Sequence, residues 1–132
     1  LKLRRIDGPV GAASALKMVY AGIGKGMTAL QTAMLLAAER AGCAEGLLQE
    51  LSESTPQVLE RMKRMIPDMY PKAYRWVGEM EEIAQFLGPD DPAAQIFEAN
   101  ARIYTAMSDD RRGGGKLAKI LDRLLSRKSA AP

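Results

Sequence analysis

Gly11 to Ala41 reads as one helix of about 30 residues, well beyond the ~10–14 residues of an average globular helix. No other feature constrains the fold as much, because a helix of that length is the element on which the rest must pack. Gly22, Gly26, Ala29, Ala33 and Ala37 recur along it at spacings of three and four, which places them on one side. Small residues there let another backbone come close, either inside one subunit or between two. Gly22, Gly24 and Gly26 each cost about 1 kcal/mol of helix propensity relative to alanine, so packing or a ligand must compensate. Gly42 supplies a left-handed stop. Ahead of the helix, Leu1 to Asp7 is a short strand-like run that enters it through the turn Gly8-Pro9-Val10-Gly11.

Further helices follow with clear punctuation. Ala44 to Leu51 is a short one. Thr55-Pro56 is a cap followed by proline at the first helical position, opening a helix with Val58, Leu59, Met62, Met65 and Ile66 inward. Pro67 and Pro71 are expected to break the chain. Ala73 to Leu87 presents Trp76, Val77, Met80, Ile83, Ala84 and Leu87, and Gly88 closes it. Asp91-Pro92 repeats the cap-plus-proline signal before a stripe of Ile96, Phe97, Ile103, Tyr104 and Met107. Gly113-Gly114-Gly115 reads as a hinge. Lys116 to Arg127 is a last amphipathic helix with Leu117, Ile120, Leu121, Leu124 and Leu125 on one side. No alternating strand pattern and no internal repeat follows residue 7. The expected class is all-α, a helical bundle around one long N-terminal helix, with residues 1–132 forming one domain.

Composition excludes several chemistries. With 47% hydrophobic residues in 132, the chain can bury a core. The longest apolar run, Met27 to Ala38, is shorter than a membrane span and carries Thr28, Gln31 and Thr32. Lys2, Arg4 and Arg5 lead into Asp7 rather than an apolar segment, so a signal peptide is not expected. The chain begins with Leu1, inside a strand-like run, which suggests a piece of a longer protein. A lone Cys43 forms no internal disulfide and suits a reducing cytosol. The absence of histidine removes Ser-His-Asp and Cys-His arrangements and the usual zinc sets. No metal is expected.

Proton transfer near neutral pH is therefore left to lysine, tyrosine, cysteine or a carboxylate. Lys17, near the start of the long helix, is the leading candidate. Burial and the positive end of the helix dipole both disfavour its charge, and so favour an amine that can take and return a proton. Gly8 and Gly11 bracket a turn whose N–H groups can face an anion, and the helix N-terminus adds donors. Ser14 lies one turn before Lys17; Tyr20 and Ala21 lie one turn after it. The plain alternative is that Ser14 caps the helix and Lys17 reaches out to water.

Other glycine clusters do not fit a phosphate loop. Gly24-Lys25 is followed by Gly26, where a Walker loop needs a hydroxyl residue, and no strand precedes these glycines. The charge of +3 is unevenly placed: residues 111–128 carry +6 and the remainder −3. Lys116, Lys119, Arg123 and Arg127 oppose the terminal leucine stripe, so a binding module for nucleic acid or an anionic membrane is the competing reading. No aromatic residue interleaves with them to stack bases, and a solvated face is the commoner outcome. Neither nucleic acid nor a membrane is expected as a partner.

The run Gly-x-x-Gly-Ala-Ala-Ser-Ala-Leu-Lys-Met-x-Tyr-Ala-Gly at 8–22, continuing as Gly-Lys-Gly-Met-Thr-Ala-Leu at 24–30, resembles a known helical domain. It is similar to the C-terminal domain of 6-phosphogluconate dehydrogenase-like and 3-hydroxyisobutyrate dehydrogenase-like enzymes, the β-hydroxyacid dehydrogenase family. Its phosphogluconate dehydrogenase C-terminal branch is the nearest. The resemblance is strong over residues 7–52 and weaker through Tyr70 to Leu87. It implies an upstream Rossmann domain that binds NADP or NAD, with this chain serving as the substrate and dimerisation domain and inactive by itself. Lys17 would be the catalytic acid/base, accepting the hydroxyl proton of a small hydroxyacid as hydride leaves for the nicotinamide. Gly11 and Ser14 would help hold the substrate. The family's asparagine, one turn after the lysine, is replaced by Tyr20 and Ala21, so Tyr20 takes over that contact or the substrate differs. The resemblance also implies a homodimer formed through the helical domain, in the cytoplasm.

Overall fold

The structure, a computed structural model, describes residues 11–127. The strand-like run Leu1 to Asp7, the turn at Gly8, and Lys128 lie outside the described residues. Six α-helices and one 3-10 turn, and no strand, occur among the described residues. They are α1 (Ala12–Ala41), α2 (Ala44–Ser54), α3 (Pro56–Met69), the 3-10 turn (Tyr70–Lys72), α4 (Ala73–Leu87), α5 (Pro92–Arg112) and α6 (Lys116–Leu125). The class is all-α.

Local chemistry explains most boundaries. α1 runs for 30 residues and stops where Gly42 adopts φ 75°. The Gly42 N–H reaches the Glu39 carbonyl at 3.1 Å and the Cys43 N–H reaches that of Ala38 at 2.9 Å, so two orphan carbonyls are satisfied. α2 extends beyond Leu51 to Ser54, ending where Pro56 forces the preceding Thr55 out of helical geometry (φ −142°, ψ 63°). Asp91 caps α5 by accepting from the Ala93 N–H at 2.9 Å, as the sequence suggests. Thr55 makes no such side-chain bond at α3.

Two expectations are corrected. Pro67 does not break the chain: α3 passes through it to Met69. The ring forfeits one late hydrogen bond, a cost of about 3 kcal/mol in a helix interior. Ile66 and Met69, 1% and 0% exposed, hold the last turn against the core. Ile96 is 59% exposed rather than part of the α5 stripe, because it sits roughly a quarter-turn from the buried face of Ala94, Asn100, Ala101 and Tyr104.

The α4–α5 hairpin packs across α1, and α2, α3 and α6 enclose the C-terminal half of α1. One core results, in which Leu35, Ile66, Met69, Met80, Tyr104 and Met107 are at most 1% exposed. The small residues of α1 are used inside the chain. A Cβ on Gly22 would stand 3.3 Å from Cζ of Phe97, and one on Gly26 would stand 3.5 Å from the same ring. Ala29 is fully buried. Gly24 is different: its nearest neighbour would be the Arg61 Nη2 at 3.8 Å, an ordinary contact. Gly24→Ala is therefore expected to raise stability by about 0.5–1 kcal/mol in denaturant titration, through helix propensity alone.

The triple glycine is a fastened turn rather than a hinge. Gly114 and Gly115 take φ 114° and 73°, and the Gly115 N–H bonds the Asp110 carbonyl at 2.8 Å. Since Gly115 brings no side chain to cap α6, Asp110 does so from the end of α5. Its carboxylate accepts from the N–H of Leu117 (2.9 Å), the N–H of Ala118 (3.0 Å) and the Tyr70 hydroxyl (2.8 Å). Burial pushes the Asp110 carboxyl upward, but these donors outweigh it and hold it below its ordinary value. Asp110→Ala is expected to cost about 2 kcal/mol, the upper end for a lost helix cap. Because the folded value is the lower one, this contribution is complete well above pH 3.8 and is lost as the pH falls through the folded value. Denaturation of wild type and variant should therefore converge in acid and differ most near neutral pH.

Candidate functional site

The sequence singles out Gly11, Ser14, Lys17 and Tyr20, and all four lie on the first turns of α1. Gly11 is the N-cap at φ 94°, in the left-handed region. A Cβ there would meet nothing within 4 Å, so the backbone conformation and not space calls for glycine. As the N-cap residue, Gly11 brings no side chain to cap this end. The first N–H groups of the helix have no intrahelical partner. Ser14, Lys17 and Tyr20 follow at three-residue spacing, with Lys17 midway between the other two around the helix. The chain brings the four together on one end of one helix.

The burial expected around Lys17 is not found. Ser14 and Lys17 are exposed, and Tyr20 is 59% exposed. The reason is where α1 acquires neighbours. Its first buried residue is Gly22, against Phe97 and Ile83, so the turns before it project past the α4–α5 hairpin. Apolar side chains continue along this free side: Leu16, Val19, Tyr20, Ile23, Met27, Leu30 and Met34 are all exposed.

Sequence reasoning missed a polar network at the middle of α1. The Arg61 guanidinium donates to the Gly24 carbonyl (2.8 Å), the Thr28 hydroxyl (3.2 Å) and the Gln31 amide oxygen (3.0 Å). The Lys25 ammonium pairs with Glu79 at 2.8 Å and lies 5.0 Å from the Trp76 ring centroid. The Tyr104 hydroxyl donates to the Lys25 carbonyl. These contacts tie α1 to α3, α4 and α5, and they explain why Gly24-Lys25-Gly26 is not a phosphate loop: its lysine is engaged and its backbone is helical. The only local signal was the cluster of glycines, which leaves the Gly24 carbonyl open to a side-chain donor.

A cleft of about 470 Å³ lies away from α1, lined by Tyr70, Pro71, Tyr74, Ser108, Arg111 and Arg112. Arg112 is paired with Asp109 at 2.6 Å, and Arg111 reaches the Pro71 carbonyl at 3.4 Å. Burial, followed by the bond to Asp110 and its charge, pushes the Tyr70 hydroxyl up to about 12, with Arg111 opposing. None of the sequence-derived site residues lines this cleft. On the terminal helix, Arg123 pairs with Glu39, and beyond it Arg127 pairs with Glu45. Two of the four basic side chains invoked for nucleic acid or membrane binding are thus engaged within the chain, and nothing in the structure supports that reading. Among the described residues no helix is long and apolar enough to cross a membrane. No group of three or more His, Cys, Asp or Glu is placed to hold a metal among the described residues.

A dinucleotide does not fit the described residues either. A strand–turn–helix cradle needs a strand, and the glycines at 22, 24 and 26 sit inside α1 while those at 113–115 are fastened to Asp110. A family model, a domain of unknown function designated DUF1932, matches residues 38–107. The match begins in the last turn of α1, so Gly11, Ser14, Lys17 and Tyr20 all precede it. No curated protein and no solved structure matches the chain.

Proposed function

The chain belongs to the DUF1932 family, domains of the C-terminal region of 3-hydroxyisobutyrate/6-phosphogluconate dehydrogenase-like proteins, and from that premise we propose that it is the substrate-binding and dimerisation domain of an NAD(P)-dependent hydroxyacid dehydrogenase. The phosphogluconate dehydrogenase C-terminal branch is the one its opening motif favours. Family membership is the observation that carries the reading. The clustering of Gly11, Ser14, Lys17 and Tyr20 on the free end of α1 supports it further, because a site shared with another domain has to be built on a surface that this domain leaves open.

In this reading the nicotinamide, the hydride acceptor, is held outside the described residues. The open N–H groups after Gly11 and the Ser14 hydroxyl bind the acid group of the substrate. The Lys17 amine takes the proton from the substrate hydroxyl, and the Tyr20 phenol orients the substrate from the next turn. The working compartment is the cytoplasm.

The test is an assay of the full-length protein for NAD- and NADP-linked oxidation of a panel of 2- and 3-hydroxyacids that includes 6-phosphogluconate. Turnover of at least one panel member supports the reading. A protein that oxidises none of them with either cofactor removes the hydroxyacid assignment.

A further inference from the structure

The cleft between the 3-10 turn, the start of α4 and the end of α5 has no part in the proposed hydroxyacid chemistry. Its volume of about 470 Å³ is in the range of small-molecule sites. It also lies far from Lys17. Phe97, which meets Gly22, is 14 residues before Arg111, about 21 Å along α5. α1 meets α5 in ascending order, Gly22 on Phe97 and then Lys25 on Tyr104, so the start of α1 leads away from the cleft.

We propose that this cleft is a second binding site, for a small phosphate monoester carried on a planar ring, of the size of a nucleoside monophosphate. Three observations select that ligand. The first is charge. Arg111 and Arg112 line the cleft and no carboxylate does. Among the described residues Arg111 has no acidic partner, and its hydrogen bond to the Pro71 carbonyl is long at 3.4 Å. Arg112 is paired with Asp109, but the two side chains are 73% and 61% exposed, and such a pair yields readily to a dianion. Asp110 is already occupied by the N–H groups of Leu117 and Ala118 and by the Tyr70 hydroxyl. Neighbouring guanidinium forks match the oxygens of a phosphate. The second observation is the flat apolar wall made by Tyr70, Pro71 and Tyr74. Tyr74 is 62% exposed, and the Arg75 guanidinium lies 5.9 Å from its ring centroid. A bare aromatic ring among cations is a stacking surface for a planar ring that carries negative charge. The third is Ser108, 9% exposed yet part of the lining. Thr105, on the previous turn, bonds its hydroxyl back to the Ala101 carbonyl at 3.0 Å. Ser108 makes no such bond among the described residues, which leaves its hydroxyl to a ligand.

The tyrosine wall does not oppose an anion. Burial, with the bond to Asp110, pushes the Tyr70 phenol up to about 12, so it stays neutral through the physiological range. A ligand in the cleft touches the 3-10 turn, α4 and α5 together, and therefore stabilises the folded chain by mass action. The site does not rest on the proposed role of Lys17.

Calorimetric titration of the full-length protein with AMP and with ribose 5-phosphate tests the site, since the two probes share the phosphate and differ in the ring. AMP is expected to saturate at millimolar concentration or below, and to bind at least about 10-fold more tightly than ribose 5-phosphate. Arg111→Gln should weaken both probes about 10-fold or more. Tyr74→Ala should reduce AMP to the affinity of ribose 5-phosphate and leave the latter unchanged. Both side chains are exposed, so the helical circular dichroism should be kept. Lys17→Met should bind AMP as wild type does. Absence of saturation at about 10 mM AMP overturns the proposal. An AMP affinity that Arg111→Gln leaves intact also overturns it, because the nucleotide then sits elsewhere in the protein. Equal affinities of wild type for the two probes remove the planar ring from the ligand class. No turnover is measured, so a failed hydroxyacid assay and a failed cleft give different results.

Discussion

On the proposed reading, Lys17→Met in the full-length protein is expected to lower turnover of a hydroxyacid by 10²-fold or more, with cofactor affinity unchanged. General acid–base groups contribute about 10²–10⁴ in rate, and 10² corresponds to about 2.7 kcal/mol of barrier. Methionine keeps the length and the apolar stem and removes only the amine. Its helix propensity is close to that of lysine, and Lys17 is exposed on the second turn of α1, ahead of the first buried residue, Gly22. The fold therefore has no reason to change, and circular dichroism and the thermal midpoint should match wild type. Lys17→Arg sharpens the result, because arginine keeps the positive charge but does not release its proton in this pH range. If proton transfer is the role, arginine fails as methionine does. If arginine restores most of the turnover, Lys17 anchors the substrate by charge and the proton goes elsewhere. Two variants with wild-type turnover would make Lys17 a solvent-facing side chain.

What could be read from the sequence was set mainly by distance along the chain. Gly42 as a stop, Gly88 closing α4 and Asp91-Pro92 opening α5 are all decided within a few residues, and each stands where its chemistry placed it. Asp110 acts on N–H groups seven and eight residues away, across three glycines that look like slack when the acceptor is unknown. Arg61 meets α1 across 30 to 37 residues, and no spacing rule connects them. α1 itself shows a subtler limit. It carries two apolar rows, small residues at 22, 26 and 29 and large ones from Leu16 to Met34. Periodicity marks both as faces to be covered, yet it does not say which of them the same chain covers. Phe97 fills the small row. The large row is left bare, and Lys17 at its edge is exposed with it.

Tyr104→Ala is expected to lower stability by about 3–5 kcal/mol, the range for removing a buried aromatic ring. Tyr104 is 0% exposed, and its ring stands edge-on to Trp76 with centroids 5.4 Å apart at 83°. The same residue fastens two helices at once, since its hydroxyl donates to the Lys25 carbonyl while the Lys25 side chain spans Trp76 and Glu79. Burial pushes its phenol well above the ordinary value, so the hydroxyl stays protonated and keeps donating through the alkaline range. Tyr104→Phe separates the two contributions. It removes the hydroxyl and keeps the ring, and the Lys25 carbonyl retains its helical partner, so the loss should be near 1 kcal/mol. A double-mutant cycle with Trp76→Ala should give a coupling of about 0.5–1.5 kcal/mol, as for an edge-to-face pair. Urea midpoints of the five proteins (wild type, Tyr104→Ala, Tyr104→Phe, Trp76→Ala and the double variant) measure all of these. Equal losses for phenylalanine and alanine would shift the weight to the hydrogen bond on Lys25. α1 would then be held on the α4–α5 hairpin by its polar clamp more than by its core.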